Sequence, residues 1–246
     1  FKEEIDDAIF YTFCFGISTS KSVFLLCHLR QLCPFLRVRT VIPAKIANDA
    51  ANFSPDSISS LTIQENAANS VARESKIFDF KMFFDLMQYF PQRTIVQEIC
   101  LVYSTNVHGT SIKTMYSRVK SMAESHCFPP IFLLAIKDYY NTVFGALLNE
   151  PPCPSNKYYG NGEMFVYSFK DGKLNIHNWS GFNEYFVTGT FHSFSIGSDQ
   201  GRNAIWFDEK LFQGHSQPCS TFNSPILSTH EDFECRVLEI WAFSMH

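Results

Sequence analysis

Two acidic residues in the last third of the sequence stand where general acid–base chemistry could be done. Glu163 follows the turn Gly160-Asn161-Gly162, whose backbone N–H groups could satisfy a carboxylate. Glu239 lies in the run Leu238-Glu239-Ile240-Trp241-Ala242-Phe243. On a regular strand Phe233, Cys235, Val237, Glu239, Trp241 and Phe243 would share one face. Two carboxylates can serve as acid and base, or cleave a glycosidic bond, when the fold sets their separation. A carboxylate in an apolar row is costly unless hydrogen bonds or a cation meet it. The reading favoured here is therefore a polar network that holds strands in register.

Other combinations carry weaker chemistry. Gly214-His215-Ser216 puts a base beside a hydroxyl, with Cys219 nearby. Sequence neighbours rarely reach attack geometry, and no Gly-x-Ser-x-Gly elbow is present. A redox thiol needs exposure. Cys219, in the polar stretch Ser216-Gln217-Pro218-Cys219, is the best-placed candidate, and Cys153 among prolines is the second. The segment Gly197-Ser198-Asp199-Gln200-Gly201-Arg202 lacks the Lys-Ser/Thr step of a phosphate-binding loop and reads as a β-turn. The histidines are scattered, without Cys-x-x-Cys or His-Glu-x-x-His spacing. Neither a metal nor a cofactor is expected.

The bulk composition narrows the function classes. The 246 residues suit one large domain, or one domain and a smaller piece. Hydrophobic residues make up 46%, and 26 Phe predict a dense, rigid interior. A net charge of −4 offers no basic field for nucleic acid, so nucleic-acid binding is excluded. The short cluster Arg30, Arg37 and Arg39 reads as a solvated face. No apolar run approaches the roughly 20 residues that span a bilayer. Eight Cys at irregular spacing read as free thiols in a reducing cytosol, with Cys14, Cys100 and Cys235 as buried small hydrophobes. The chain opens at Phe1 and reads as a fragment of a longer protein.

Hydrophobic periodicity supplies the elements that must position these groups. A strand is expected over residues 8–16 and a capped helix from Ser20 to Leu32, stopped by Pro34. Residues 37–75 lose their aromatics and read as a linker. Phe80, Phe83, Phe84 and Met87 mark a helical face that Pro91 ends. Ile99–Tyr103 reads as a strand. Thr110 or Ser111 caps a helix facing inward through Ile112, Met115, Tyr116 and Val119. Strands follow over 131–136 and 142–148, then a loop over 151–156. Asp171-Gly172 is a hairpin turn between 163–169 and 173–179. Further strands cover 185–188, 191–196, 203–208 and 233–243. The fold class is α+β, a mainly antiparallel two-sheet β-sandwich with helices packed on its outside.

Motif order then points to a family. Leu101-Val102-Tyr103-Ser104-Thr105, Val143-Phe144-Gly145-Ala146, Tyr159-Gly160-Asn161-Gly162-Glu163 and Trp179-Ser180-Gly181 come first. Ser195-Ile196-Gly197, Trp206-Phe207-Asp208, Gly214-His215-Ser216, Thr221-Phe222-Asn223 and Leu238-Glu239-Ile240-Trp241 close the series. Residues 76–246 resemble a complete TLDc domain of the oxidation resistance and nuclear receptor coactivator branch. Residues 1–36 resemble the end of a GRAM or PH-like domain, with 37–75 as linker. The chain departs from the family at Asn161, where Thr is usual, and at Ser198-Asp199, where the family is Gly-rich.

The resemblance implies a helix-flanked β-sandwich, protection against oxidative stress, and no established active site. Gly160, Gly162, Glu163, Ser195, Gly197, Trp206, Asp208, Gly214, Asn223, Glu239 and Trp241 are then motif residues of the fold. It also implies binding to the catalytic sector of the vacuolar proton-pumping ATPase (V-ATPase), with modulation of its assembly or activity. The expected location is the cytoplasm, on the cytosolic face of acidic organelles, with membrane association only through that partner. A thiol-based antioxidant acting through Cys219 and a structural scaffold subunit are the alternatives. A hydrolase built on Glu163, Glu239 or His215-Ser216 is a further one.

Overall fold

The computed structural model describes residues 2–5, 8–11, 55–95, 97–125 and 130–244, with side chains from residue 63 onward. The chain divides into two units, Phe1–Ser54 and Pro55–His246. In the first, β1 (Lys2–Ile5) pairs antiparallel with β2 (Ala8–Tyr11), Ile5 opposite Ala8. The strand expected over 8–16 is thus described only over Ala8–Tyr11. The helix expected from Ser20, the arginine cluster and Cys14 lie outside the described residues.

The second unit begins with α1 (Pro55–Glu74), which occupies much of the stretch whose composition predicts a linker. Pro55 stands at the first helical position, where a missing N–H costs nothing. Among its described side chains, those buried are small, Ala68 and Val71, and no aromatic occurs in α1. After it, α2 (Phe80–Met87) starts on Asp79, whose carboxylate accepts from the Met82 N–H at 2.8 Å. Phe83, Leu86 and Met87 are its buried face. One-turn α3 (Thr105–His108) had no sequence signal. In α4 (Ile112–Glu124) Ser111 is the cap, and Ile112, Met115, Tyr116 and Val119 are buried as their spacing predicts.

The strands are β3 (Glu98–Ser104), β4 (Ile131–Asp138), β5 (Val143–Leu148), β6 (Ser155–Tyr159) and β7 (Phe165–Lys170). They continue with β8 (Lys173–Asn178), β9 (Val187–Gly189), β10 (Ser193–Ile196), β11 (Ile205–Asp208), β12 (Gln213–His215) and β13 (Asp232–Ser244). All pairings are antiparallel, in the order β6-β9-β10-β11-β12-β13-β4-β5-β7-β8, with β3 also on β13. Two layers result because β13 is long enough to serve both. Its first residues pair with β12, Cys235–Phe243 pair with β4, and Glu239–Ser244 pair with β3. The expected α+β sandwich is therefore one continuous antiparallel ribbon folded at β13. The β7–β8 turn places Asp171 at φ 52° and Gly172 at φ 71°, the left-handed pair of a tight hairpin. In this second unit two short strands go beyond the sequence expectation. β6 is polar and begins inside the segment read as a loop, and β12 has only three residues.

Two hydrophobic clusters hold the unit together. The larger joins Phe132, Leu134 and Ile136 of β4 and Phe144 of β5 to Phe194, Ile205 and Phe207 of the other layer. The inward face of α4 belongs to this same cluster. Tyr116 edges onto Phe194 and its hydroxyl donates to the Ser193 carbonyl, which fastens this flanking helix to the sandwich. The second cluster lies on the opposite face of β4 and β5, where Leu133, Leu147, Phe165 and Trp241 meet α1 and α2. With apolar residues covered on both sides, β4 and β5 read as continuous hydrophobic runs.

Candidate functional site

Glu239 is completely buried, in the face of β13 that meets the helical cluster. Its neighbours differ from the regular-strand expectation. Cys235 opposes Asp138 and Val237 opposes Lys137, so Arg236 is the extra residue of a β-bulge. The bulge sends Phe233 and Cys235 into the inter-layer core, while Val237, Trp241 and Phe243 stay with the helices. Three donors meet the Glu239 carboxylate. Ser75 Oγ donates at 2.6 Å and Trp241 Nε1 at 3.2 Å to Oε2, and the Lys76 backbone N–H donates at 2.7 Å to Oε1. Ser75 Oγ itself accepts from the N–H groups of Ile77 and Phe78. A buried carboxylate is tolerable on these terms because its lone pairs are met by hydrogen bonds. Its chemistry is that of a clamp between the segment after α1 and the last strand.

Beside the clamp, Tyr167 crosses the β5 backbone. Its hydroxyl donates to the Leu134 carbonyl at 3.0 Å, and burial pushes its ionisation well above the usual tyrosine range, with nearby Glu239 adding to the effect. The path is open only because residue 145 is Gly: a Cβ there would lie 2.0 Å from the Leu134 oxygen and 2.8 Å from the Tyr167 hydroxyl.

Glu163 belongs to a different network. It forms a fork with Arg93, Nη1 to Oε1 at 2.8 Å and Nη2 to Oε2 at 2.5 Å, on a largely exposed surface. The Arg93 hydrogen bonds hold the Glu163 carboxyl below its ordinary range, and Glu163 raises Arg93 in return. Among the described residues Glu163 and Glu239 share no hydrogen-bond partner, one being on the exposed surface and the other completely buried, so the two carboxylates belong to separate networks. Gly162 ahead of it lies against the Trp179 ring, where a Cβ would stand 2.4 Å from Cε3.

The His215-Ser216 pair is likewise taken apart. His215 stacks flat on Trp206, its cross-strand neighbour, with centroids 4.8 Å apart and planes 7° apart. Burial lowers the His215 pKa, against the opposing pull of Asp232 and Glu231. Ser216 is buried, and its Oγ accepts from the Leu227 N–H at 2.8 Å. Cys219 is only 2% exposed, which corrects the expectation of an accessible loop thiol. Its surroundings explain this. The Cys219-Ser220-Thr221 turn folds inward onto Gly197, and Cys219 Sγ lies 3.6 Å from Thr221 Oγ1. Cys153 and Cys100 are half-buried, and Cys235 is buried. Burial pushes the Cys100 and Cys235 thiols up.

The remaining motif residues fasten loops. Thr221 Oγ1 donates to Asn183 Oδ1 at 2.9 Å, with the Ser198 carbonyl at 3.1 Å, and accepts from the Ser198 N–H. Ser180 donates to the Ser220 carbonyl, and Ser220 Oγ donates to Asp199. This polar knot was not foreseen from sequence. Its signal was the clustering of Ser, Thr and Asn in segments far apart along the chain. Asp208 accepts from the N–H groups of Phe212 and Gln213 and so turns β11 into β12. Ser195 is buried on β10, and Gly160 (φ 103°) enters the turn before Glu163. Gly214 lies where the Phe233 ring crosses β12, and Asn223 (φ 46°) turns the segment after Thr221. Among the described residues, no group of three or more His, Cys, Asp or Glu could hold a metal ion. Also among them, no helix is long and apolar enough to cross a membrane.

Comparison with known proteins agrees with this layout. The profile of the TLDc domain matches residues 71–244. Nuclear receptor coactivator 7 of Homo sapiens is 45% identical over 143 residues, which is 58% of this chain and 14% of that protein. Oxidation resistance protein 1 of Mus musculus is 34% identical over 224 residues, covering 88% of this chain and 23% of that protein. The Homo sapiens oxidation resistance protein 1 is 40% identical over 158 residues, or 64% of this chain and 17% of its own length. The chain thus spans less than a quarter of the length of these relatives.

Proposed function

From the premise that this chain belongs to the TLDc domain family, we propose that it is a non-enzymatic regulatory module. It binds the catalytic sector of the V-ATPase and modulates the assembly or activity of that pump, in the service of resistance to oxidative stress. One observation carries the reading: the family-motif residues that could do chemistry are engaged in internal structure. Glu239 is a clamp, Ser216 holds the Leu227 backbone, and Cys219 is buried. What remains for function is the exterior, where Phe182 is 70% exposed and Tyr140 65% exposed. Exposed aromatics of this kind are enriched at protein interfaces. The names of the oxidation resistance relatives support the link to oxidative stress. Association with the cytosolic face of acidic organelles then follows from the partner.

Co-sedimentation of the purified chain with V-ATPase, together with proton pumping in its presence, tests the proposal. Binding with a change in pumping is expected, and the absence of both would overturn it. The thiol-antioxidant alternative loses its main support with the burial of Cys219.

A further inference from the structure

One surface cavity of about 280 Å³ is lined by Lys76, Asn106, Lys137, Arg236 and Val237. Its lining holds three cations and no carboxylate, on a chain whose net charge is −4. Among the described residues, none of the three cations has an ion-pair partner. The carboxylate of Glu239 lies behind Lys76, completely buried and engaged by three hydrogen bonds, so the outward-facing cations are suited to an anion from outside.

The backbone fixes where each of the three side chains begins. Lys76 donates its N–H to Glu239, so the buried clamp pins this residue to β13. Lys137 lies opposite Val237 across the β4–β13 pairing. Arg236 is the bulged residue, and a bulge re-aims a side chain that a regular strand would send elsewhere. Its Nη1 donates to Asn141 Oδ1 at 2.8 Å, which among the described residues leaves most of its five N–H donors for a ligand.

We infer that this pocket docks an acidic segment of a protein partner, with Asp or Glu carboxylates seated among Lys76, Lys137 and Arg236. The inference rests on the reading of the domain as a binding module and adds the chemistry of what it binds. The volume falls below the roughly 300–1,000 Å³ of ordinary small-molecule pockets, and suits one or two side chains. The flank favours protein over a free anion or a lipid headgroup. Tyr139 (56% exposed) and Tyr140 (65% exposed) occupy the same turn as Asn141, and Arg with Tyr is the composition of interface hot spots.

The experiment uses the whole chain and a triple variant, Lys76→Gln, Lys137→Gln and Arg236→Gln. A matching thermal melt shows that the variant is folded. Labelled hexaglutamate peptide is titrated into both at low and high salt. Inorganic phosphate and phosphatidylserine vesicles are the comparison probes, and V-ATPase co-sedimentation is run alongside. The wild type is expected to bind hexaglutamate, more weakly at high salt, and the variant about tenfold more weakly. Equal peptide binding by the two chains overturns the inference. So does a wild type that takes phosphate or vesicles in preference to the peptide. If the wild type and the variant co-sediment with V-ATPase equally, the docking site is wrong and the proposed function stands. If the wild type binds peptide through these residues but not V-ATPase, the proposed function is wrong and the pocket stands.

Discussion

Ser75 and Glu239, 164 positions apart in sequence, are joined by a hydrogen bond of 2.6 Å. The bond closes the domain: it fastens the residues just after α1 to the strand that both layers share. Removing the carboxylate would leave Ser75 Oγ, the Lys76 N–H and the Trp241 indole N–H without an acceptor. Each stranded buried group costs about 1–3 kcal/mol. Glu239→Ala is therefore expected to destabilise the domain by about 3 kcal/mol or more, read as a lower urea midpoint. An unchanged midpoint would refute the clamp.

Gly145→Ala should be more damaging than its one added methyl suggests. The new Cβ would meet a backbone oxygen at 2.0 Å, and backbone cannot swing aside as a side chain can. A loss of about 3 kcal/mol is expected, at the upper end for overpacking. Tyr167→Phe removes only the hydroxyl bond to Leu134, and should cost about 1 kcal/mol. Paired denaturation curves would show the order, and a milder Gly145→Ala would contradict the crossing geometry.

Acid should weaken the fold through its histidines. Burial lowers His215, His177 and His108 below their ordinary pKa. The unfolded chain therefore binds protons first, near pH 6.5. Stability from these groups is complete above that value and falls as pH drops toward the folded-state pKa values. Urea midpoints should fall between pH 7.5 and pH 5. His215→Gln should flatten the slope, and an unaltered slope would exclude this histidine as a contributor.

Thiol reactivity should follow burial rather than loop position. Under mild peroxide Cys153, which is half-buried, should be modified before Cys219 and Cys235, which are buried. Peptide mass spectrometry at short times gives the order directly. Early modification of Cys219 would restore the redox reading.

The Arg93–Glu163 fork, by contrast, should matter little to stability. Both side chains are more than a third exposed, so water screens them, and exposed pairs contribute under about 1 kcal/mol. Glu163→Gln should shift the urea midpoint slightly, and less in high salt. A loss as large as that from Glu239→Ala would mean that the pair has an unrecognised partner.

The sequence announced what repeats and concealed what is single. Phe83, Met87, Ile112, Met115, Tyr116 and Val119 declare their helices because burial recurs at helical spacing. The helix α1 has a weak pattern because the buried residues among its described side chains, Ala68 and Val71, are too small to stand out. The bulge at Arg236 has no composition of its own, yet it decides which residues share a face with Glu239. The burial of Cys219 was hidden for a similar reason: the polar residues around it bond to one another instead of to water.

The placement of β13 also has a consequence in time. This strand supplies pairing to β3, β4 and β12, yet it is the last of them to be made. Until residues 232–244 have emerged from the ribosome, β3 and β4 lack their common neighbour, and both hydrophobic clusters lack the apolar residues that β13 contributes. Nascent chains in that state are prone to aggregate. This architecture therefore ties successful synthesis to protection of a long, sticky intermediate.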